Sequence, residues 1–222
     1  MASSRTRGAR GRRPLDRERV LRAAIDLVDE HGLDALSMRK LGQVLGVEAM
    51  SLYNHVASKD DLLDGIVDIV TGQFELPREE LGWKAAIRGC AIAAHEVLLR
   101  HPWSAALAES RMQSGPLRMA YLEAVVGTFR RGGFSVRSAY HANLTLDSYV
   151  YGFTLQEVSW PIAGEAVPAS AADFVARTDD STYPHLVEIA ALVAEAGFDR
   201  RGEFELGLDL ILDGLERLRD EA

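Results

Sequence analysis

The chain has 222 residues, 47% apolar content and a formal net charge of −8. This length supports one large domain or two small ones with a sizeable core. A single cysteine excludes an intrachain disulfide, and no apolar run approaches the roughly 18 residues that a membrane-spanning helix needs. Because the Arg-rich N-terminus also lacks the apolar segment of a secretory signal, we expect a cytoplasmic protein without a membrane partner.

The negative charge is concentrated in the C-terminal part of the chain. Residues 1–65 hold 11 Lys/Arg and 10 Asp/Glu, whereas residues 66–222 hold 14 and 23. Residues 1–13 carry five arginines, no acid and almost nothing apolar, so we expect this segment to be disordered. It is either a flexible arm that contacts DNA phosphates or a minor groove, or a solvated tail.

Apolar periodicity and helix-ending residues predict an all-α chain without strands or repeats. Predicted helices cover 14–30, 38–45, 47–56, 59–74, 83–99, 103–109, 116–131, 135–160, 183–196 and 203–219. Residues 161–181 mix Pro, Gly, Ala, Ser and Asp and are predicted to form a mobile loop. A domain boundary is expected near residue 76, after the fourth helix.

The stretch from Leu36 to Leu63 has the layout of a helix-turn-helix. Its first short helix is predicted to bury an apolar face made of Met38, Leu41, Val44 and Leu45. Gly46 follows in the position of a helix C-cap, where a left-handed backbone costs glycine little. A second short helix then places Leu52 and Val56 four residues apart. Ser58 followed by Asp61 resembles a capping box and should begin the next helix.

This stretch resembles the DNA-binding domain of the tetracycline-repressor (TetR) family of transcriptional regulators, and is most similar to the tetracycline repressor's own branch. The matching residues are LGQVLGV at 41–47, Leu52-Tyr53, His55, Lys59 and Leu62-Leu63. The resemblance implies an N-terminal three-helix DNA-binding domain, linked by a fourth helix to a larger α-helical ligand-binding and dimerisation domain. The predicted division is an arm at 1–13, a DNA-binding domain at 14–75 and a C-terminal domain at 76–222.

The same resemblance implies a set of DNA-contacting residues: Ser37, Met38, Arg39, Glu48, Ala49, Met50, Ser51, Tyr53, Asn54, His55 and Lys59. Arg39 matches a position that reaches guanine, with which arginine pairs bidentately, although a surface salt bridge is the alternative. Tyr53, His55 and Lys59 match positions that contact the DNA backbone. Met50 either touches a thymine methyl group or belongs to the domain core.

The final predicted helix carries one long apolar stripe, which has to be buried somewhere. Its members include Phe204, Leu208, Ile211, Leu212 and Leu215. The resemblance implies that this helix and the helix near 135–160 pack against their two-fold copies, which favours a homodimer and a palindromic operator in double-stranded DNA. The alternative is that the stripe belongs to the intrachain core.

The C-terminal part also contains aromatic residues mixed with a few polar ones, a composition suited to a small, largely apolar molecule. The candidates are His95, Trp103, Met112, Tyr121, Tyr140, Asn143, Asp147 and Tyr151. Asn143, Asp147 and Tyr151 are spaced by four and should share one helix face. For each residue taken alone, core or surface remains the alternative.

No cofactor, metal or catalytic residue is predicted. Motifs for nucleotide binding, zinc hydrolysis or serine hydrolysis are absent from the sequence. Compared with the tetracycline repressor, Cys90, Ala94 and Ala108 replace a drug-binding Asn, a pocket Phe and a magnesium-binding His, so we expect an inducer that needs no metal. We therefore predict a ligand-responsive, homodimeric repressor; a helical interaction module and an enzyme are the alternatives.

Overall fold

The computed structural model describes residues 14–111, 115–160, 166–197 and 199–220. In these ranges all regular structure is helical and no strand occurs, which confirms the all-α prediction. The helices are α1 (Arg17–His31), α2 (Met38–Leu45), α3 (Ala49–Leu52), α4 (Lys59–Thr71), α5 (Trp83–Arg100), α6 (Trp103–Glu109), α7 (Pro116–Arg131), α8 (Val136–Ser159), α9 (Ala166–Arg177), α10 (Pro184–Ala196) and α11 (Arg200–Asp220). None of these helices is both long and apolar enough to cross a membrane.

The chain divides into two compact units, Met1–Ile69 and Val70–Ala222. The division falls inside α4, a few residues before the boundary near residue 76 that the sequence suggests. Because the division falls within a continuous helix, no Pro or Gly marks it in the sequence. The sequence pattern therefore places the boundary in the loop that follows the helix.

Capping and a close backbone approach define the turn between α2 and α3. The Ser37 hydroxyl accepts a hydrogen bond from the backbone N–H of Lys40 at 3.2 Å and so begins α2. Gly46 ends α2 in a left-handed conformation with φ 68°, and the N–H of Val47 bonds to the carbonyl of Gly42 at 2.9 Å. A Cβ on Gly42 would lie 2.9 Å from the Val47 carbonyl oxygen, so this turn requires glycine at both positions.

The core of the first unit differs from the predicted apolar face at one position. Leu41, Leu45, Leu52 and Val56 are buried, whereas Val44 is 54% exposed. Helix α2 has only eight residues and its buried face is narrow. Val44 lies just outside that face. Helix α3, the second helix of the helix-turn-helix, also begins two residues later than the predicted start at Val47.

Helix α11 is held against α5 by charged side chains and against α8 by close packing. Arg88 on α5 donates to Asp209 at 2.6 Å and to Glu205 at 3.0 Å. One helical turn earlier, Lys84 contacts Asp213 and Glu216, both at 2.7 Å. The carboxylates hydrogen-bonded to Arg88 raise the pKa of its guanidinium despite partial burial. These pairs fix the register of the two helices, although their partial exposure limits what each contributes to stability.

The predicted dimer stripe lies mostly inside the protomer. Four of its members are buried at 0–5% exposure and Ile211 is half-buried; the buried members are Phe204, Leu208, Leu212 and Leu215. They form part of the intrachain core because α5 and α8 both pack against this side of α11. For the four buried residues the assignment to a dimer interface is therefore wrong, and the alternative of an intrachain core is correct. For the half-buried Ile211 the assignment stays a prediction.

The prediction of a loop at 161–181 is wrong for residues 166–177, which form α9. The segment is rich in alanine, the strongest helix former. Its Pro168 is the third residue of the helix, where the missing N–H would have no intrahelical partner. Residues 161–165 lie outside the described ranges.

We expect Gly132→Ala to destabilise the protein through a steric clash rather than through backbone strain. The backbone of Gly132 has φ −73° and ψ 2°, which alanine tolerates, but a Cβ there would lie 2.6 Å from Cβ of Trp83. Trp83 cannot retreat easily because its ring packs on Phe134 and Phe129 at centroid distances of 4.8 and 6.0 Å. The expected loss is about 1–3 kcal/mol in urea unfolding at fixed protein concentration.

Gly89→Ala is the matched control, since Gly89 lies within α5 and a Cβ there meets nothing within 4 Å. This variant should be neutral, or more stable by about 1 kcal/mol through helix propensity. Equal unfolding midpoints for the two alanine variants would contradict the packing described for Trp83.

Candidate functional site

The second helix of the helix-turn-helix presents polar and apolar side chains to solvent. Met50 is 76% exposed and Tyr53 is 43% exposed, so the alternative that Met50 belongs to the core is wrong. Of the other predicted DNA-contacting residues, Ser37, Arg39, Glu48, Asn54 and Lys59 are exposed, and Met38, Ala49, Ser51 and His55 are half-buried. None is buried, so the geometry leaves the whole set accessible from solvent.

A charged clamp connects three elements around the end of α3. Arg17, the first residue of α1, donates two hydrogen bonds to the Asp61 carboxylate, at 2.6 and 2.8 Å. The same guanidinium donates to the backbone carbonyl of His55 at 3.1 Å. Asp61 also accepts from the backbone N–H of Ala57 at 2.7 Å. The clamp therefore ties the residues that follow α3 to the starts of both α1 and α4.

The electrostatics of the clamp favour its charged form. The hydrogen bonds from Arg17 and from the Ala57 N–H, together with the positive charge of Arg17, lower the pKa of Asp61 against the opposing effect of burial. Ser58 accepts from the N–H of Asp61 at 3.0 Å, which confirms the predicted cap and places Lys59 in the first turn of α4.

In the C-terminal unit, four of the predicted ligand-binding residues form one polar cluster, here named the Asp147 cluster: Tyr121, Asn143, Asp147 and Tyr151, together with Cys90 and Arg118. Nδ2 of Asn143 donates to the Asp147 carboxylate at 3.2 Å, and the Tyr121 hydroxyl lies 3.9 Å from the Cys90 sulfur. The Tyr121 ring packs edge-on against Phe74, with centroids 5.2 Å apart. The spacing of three of these residues by four along α8 thus predicts a shared face correctly.

Burial raises the pKa of the carboxyl, thiol and phenol groups of this cluster. It raises the pKa of Asp147 to about 6, which the positive charge of Arg118 and the Asn143 hydrogen bond partly offset. It raises the pKa of Cys90 to about 11 and that of Tyr151 to about 12. Oδ1 of Asn143 is buried and has no hydrogen-bond partner among the described residues. The cluster therefore contains acceptors whose cost of burial is incompletely offset.

His95 lies in a different environment. Its ring stacks on Phe204 with centroids 4.0 Å apart. The Thr154 hydroxyl donates to the carbonyl of Val150 at 2.7 Å, so it accepts from Nδ1–H of His95 at 2.8 Å. Nε2 then faces Glu157 at 3.3 Å. Burial lowers the pKa of His95 to about 4, which makes it a neutral histidine that joins α5, α8 and α11.

The remaining ligand-binding candidates do not join the Asp147 cluster. Tyr140 is 63% exposed, and Trp103 is half-buried with its ring 6.2 Å from that of His101. Met112 lies outside the described residues. Sequence reasoning missed Arg118, although its position one turn before Tyr121 was a usable signal. It missed Arg17 because the clamp joins residues that are 44 positions apart in the sequence.

The described part of the C-terminal unit contains an apolar groove and a smaller cavity. One, of about 340 Å³, is an apolar groove between α9 and α10 whose walls include Val167, Phe174, Leu186, Ile189 and Val193. The other, of about 150 Å³, is lined by Glu75, Leu76, Arg78, Leu81, Ala85, Ala86, Gly89 and Cys90. Cys90 thus borders this smaller cavity and also contacts Tyr121. Within the described ranges, no group of three His, Cys, Asp or Glu side chains is arranged to hold a metal ion.

We expect Arg17→Ala to loosen the end of α3. Without the guanidinium, the His55 carbonyl and the Asp61 carboxylate both lose a donor, so the amide protons of His55 and Val56 should exchange faster with solvent. Arg22→Ala is the control, because Arg22 on the same helix pairs with Glu18 in the exposed i,i+4 arrangement and touches neither residue. Equal exchange in the two variants, measured by amide hydrogen exchange, would argue against the clamp.

Two family models match most of the chain. Residues 20–66 match the bacterial regulatory proteins of the tetR family, and residues 76–219 match the tetracyclin repressor-like C-terminal domain. An HTH-type transcriptional regulator of Saccharopolyspora erythraea is 35% identical over 90% of this chain and 84% of its own length. The HTH-type transcriptional repressor DrrR1 of Streptomyces coeruleorubidus is 32% identical over 96% of this chain and 82% of its own.

A solved structure agrees with these matches. ActR, a TetR family protein of Streptomyces coelicolor, was solved in complex with actinorhodin. It is 31% identical to this chain. The match covers 93% of this chain and 99% of ActR, and the two superpose with a TM-score of 0.81. The helix-turn-helix, the helical C-terminal unit and these similarities agree: the chain belongs to the tetR family of bacterial transcriptional regulators.

Proposed function

We propose that this chain is a ligand-responsive transcriptional repressor that binds a palindromic DNA operator as a homodimer and is released by a small molecule. The observation that carries the proposal is the helix-turn-helix, whose second helix is exposed and clamped at its end by Arg17 and Asp61. Membership of a family of regulators supports repression, and the relative DrrR1 is named a repressor. The expected location is the cytoplasm, where the DNA lies.

The exposed side chains fall into two classes by their chemistry. Arg39, Met50 and Asn54 are suited to base edges, since arginine pairs with guanine, asparagine with adenine, and an apolar group with the thymine methyl. Ser37 begins α2, where free backbone N–H groups favour a phosphate. Tyr53, His55 and Lys59 supply donors for the DNA backbone. Contacts to the DNA backbone set the orientation of the protein on the DNA, and contacts to base edges set which operator sequence it prefers.

A homodimer requires a surface other than the buried stripe of α11. Two further apolar rows are exposed, one on α8 with Val136, Tyr140 and Leu144, and one on α11 with Leu206 and Leu210. Tyr149 of α8 donates to the Phe204 carbonyl at 2.9 Å, and Gly133 just before α8 approaches Arg219, so the two helices run antiparallel. This direction brings Leu144 level with Leu210, and we assign the combined rows as the dimer face.

The other classes of function have less support. A helical interaction module would leave the exposed α3 residues and the clamp without a role. The relatives of the chain are named transcriptional regulators, which favours a non-enzymatic function. The direct test of the proposal is a mobility-shift assay on the DNA that flanks the gene, followed by footprinting. A symmetric footprint with two half-sites one helical turn apart supports the proposal, and binding without sequence preference contradicts it.

The inducer is expected to be small, largely apolar and independent of metal. Ala94 and Ala108 are buried at 2% and 3% exposure, and neither can ligate a metal or donate a hydrogen bond from its side chain. The complex of ActR with actinorhodin supports small-molecule binding by analogy with a relative.

We predict that Arg39→Ala and Lys59→Ala weaken DNA binding in distinguishable ways. Arg39→Ala should cost about 1–3 kcal/mol on the preferred operator and relax the preference at one base pair per half-site. Lys59→Ala should weaken binding to all sequences and reduce the slope of log K against log salt by about one. Titrations of operator and scrambled DNA at several salt concentrations separate the two effects. Unchanged sequence preference in Arg39→Ala would mean that Arg39 makes no base contact.

We predict that Leu206→Asp combined with Leu210→Asp yields a folded monomer that binds the operator weakly. Both side chains are more than half exposed, so the charges leave the protomer core intact while opposing association. Leu208→Asp is the contrasting variant, since Leu208 is fully buried and should lose helix content instead. Sedimentation and circular dichroism distinguish the outcomes. A double variant that stays dimeric would place the interface elsewhere.

A further inference from the structure

The hairpin of α9 and α10 encloses an apolar groove that the rest of the protomer does not fill. No residue of either helix is buried, and Leu186, Ile189 and Leu192 on α10 are each more than half exposed. The space between the two helices has a volume of about 340 Å³, which lies in the range of small-molecule sites in proteins. The groove is therefore an open cavity large enough for a ligand.

The walls of the groove are mainly aliphatic, and the groove is elongated. Helix α9 contributes Val167 and Ala171, and helix α10 contributes Leu186 and Val193. From Val167 to Phe174 the groove follows α9 for about 10 Å, at the helical rise of about 1.5 Å per residue. A long, narrow groove with aliphatic walls suits an extended hydrocarbon chain better than a flat aromatic body, which would meet few ring faces there.

A positive charge marks one end of the groove. Among the described residues that line it, Arg200 is the only charged one, and its guanidinium carbon lies 5.7 Å from the centroid of the Trp160 ring. Trp160 precedes α9 and Arg200 follows α10, so both lie at the open end of the hairpin. A guanidinium that stacks on a ring presents its N–H donors in its own plane, where they match the two oxygens of a carboxylate.

The acid closest to this charge in the chain fold is directed elsewhere. Burial raises the pKa of Glu157, and the positive charge of Arg200 opposes that rise, so the two groups act on each other. Glu157 does not line the groove, however, and its Oε2 faces His95 at 3.3 Å. A carboxylate in the groove would gain charge-assisted hydrogen bonds from Arg200, whereas a neutral hydroxyl would gain less and an ammonium group would be repelled.

We propose that the groove between α9 and α10 is a binding site for medium-chain aliphatic carboxylates, with the chain between the two helices and the carboxylate at Arg200. The site is separate from the Asp147 cluster. The proposal goes beyond the proposed function, because it requires neither an operator nor a response to the ligand.

Three probes with the same chain test the class of ligand by isothermal titration calorimetry of the full-length protein at pH 7.5. Octanoate carries a carboxylate, 1-octanol a neutral hydroxyl and octylamine a cation at this pH. We expect octanoate to bind at least tenfold more tightly than either of the others, because only its head group forms an ion pair with Arg200. Equal or tighter binding of 1-octanol or octylamine, or no binding of octanoate at millimolar concentration, would overturn the proposal.

A pair of arginine variants locates the head group. Arg200→Met removes the charge but keeps an unbranched side chain, so it should weaken octanoate at least tenfold and leave 1-octanol within twofold. Arg177→Met is the control, since Arg177 at the end of α9 pairs with Asp173 in an exposed i,i+4 arrangement and does not line the groove. Equal affinity of the two variants for octanoate would overturn the placement of the carboxylate.

A pair of alanine variants on α9 locates the hydrocarbon chain and does not depend on the fold of Arg200→Met. Ala171→Leu adds bulk to a residue that lines the groove, and should weaken both octanoate and 1-octanol at least tenfold. Ala172→Leu makes the same change at the neighbouring residue, which is exposed and outside the groove, and should bind as the wild type does. If Ala171→Leu also binds octanoate as the wild type does, the chain does not lie in the groove.

A second copy of this chain is the competing occupant of the groove. If a second copy covers it, the monomeric Leu206→Asp, Leu210→Asp variant should bind octanoate and the wild-type dimer should not, and this result would overturn the proposal. Equal affinity of the two proteins for octanoate supports a groove that stays open. A mobility-shift assay without probe tests the proposed function separately, since loss of specific DNA binding would leave the result for octanoate unchanged.

Discussion

The hydrogen bonds between Arg17 and Asp61 are the constraint on which the proposed DNA-reading surface depends. Helix α3 has four residues, too few to be stable by its own backbone hydrogen bonds. Its position is therefore imposed from outside, by the buried side chain of Leu52 on one side and by the clamp at the His55 carbonyl on the other. Because the Asp61 carboxylate also accepts from the N–H of Ala57, two residues before α4, one carboxylate ties the end of α3 to the beginning of α4.

This arrangement leaves the exposed residues of α3, and of the turn that follows it, free to vary. Met50, Tyr53 and Asn54 make no contribution to the core of the first unit. Their replacement changes what the surface recognises without changing how it is held. The same scaffold can therefore carry different exposed side chains, and with them different preferences for DNA sequence.

The C-terminal unit separates stability and recognition in a similar way. The aromatic and aliphatic residues of α5, α8 and α11 form the core, with Phe204, Leu208 and Leu212 almost fully buried. Charged pairs along α5 and α11 set the register at the edge of this core. Tyr140 and Asp147 are seven residues apart on α8, so the exposed row that includes Tyr140 adjoins the Asp147 cluster along the helix. One helix thus serves a core, a polar cluster and an exposed face.

The sequence predicted the helix-turn-helix well because local rules decide it. Ser37, Gly46 and Ser58 act within a few residues of their own position, and all three behave as their residue types predict. The spacing of Asn143, Asp147 and Tyr151 was informative for the same reason. Predictions failed where burial depends on distant elements. The apolar stripe of α11 looks the same whether α5 and α8 or a second protomer covers it, and only the packed structure distinguishes the two.

Helix α9 and His95 show two further limits of sequence reasoning. Alanine propensity favours a helix at 166–177. The neighbouring Pro and Gly residues, however, indicate a loop more strongly than the alanines indicate a helix. His95 was a reasonable ligand candidate because histidine is often functional. Its role as a neutral core residue follows from the hydroxyl of Thr154, which lies 59 positions away in the chain, and no local pattern contains that information.

A regulator of this kind also needs a state that ligand binding can favour, and the cost of the buried acceptors supplies one. A ligand shifts an equilibrium between two conformations only by the difference in its affinity for them. The amide oxygen of Asn143 lacks a partner in the described structure, so a conformation in which that oxygen accepts a hydrogen bond is relieved of its desolvation cost. Burial of this unpartnered acceptor thereby narrows the difference in free energy between the described conformation and one in which the acceptor is paired.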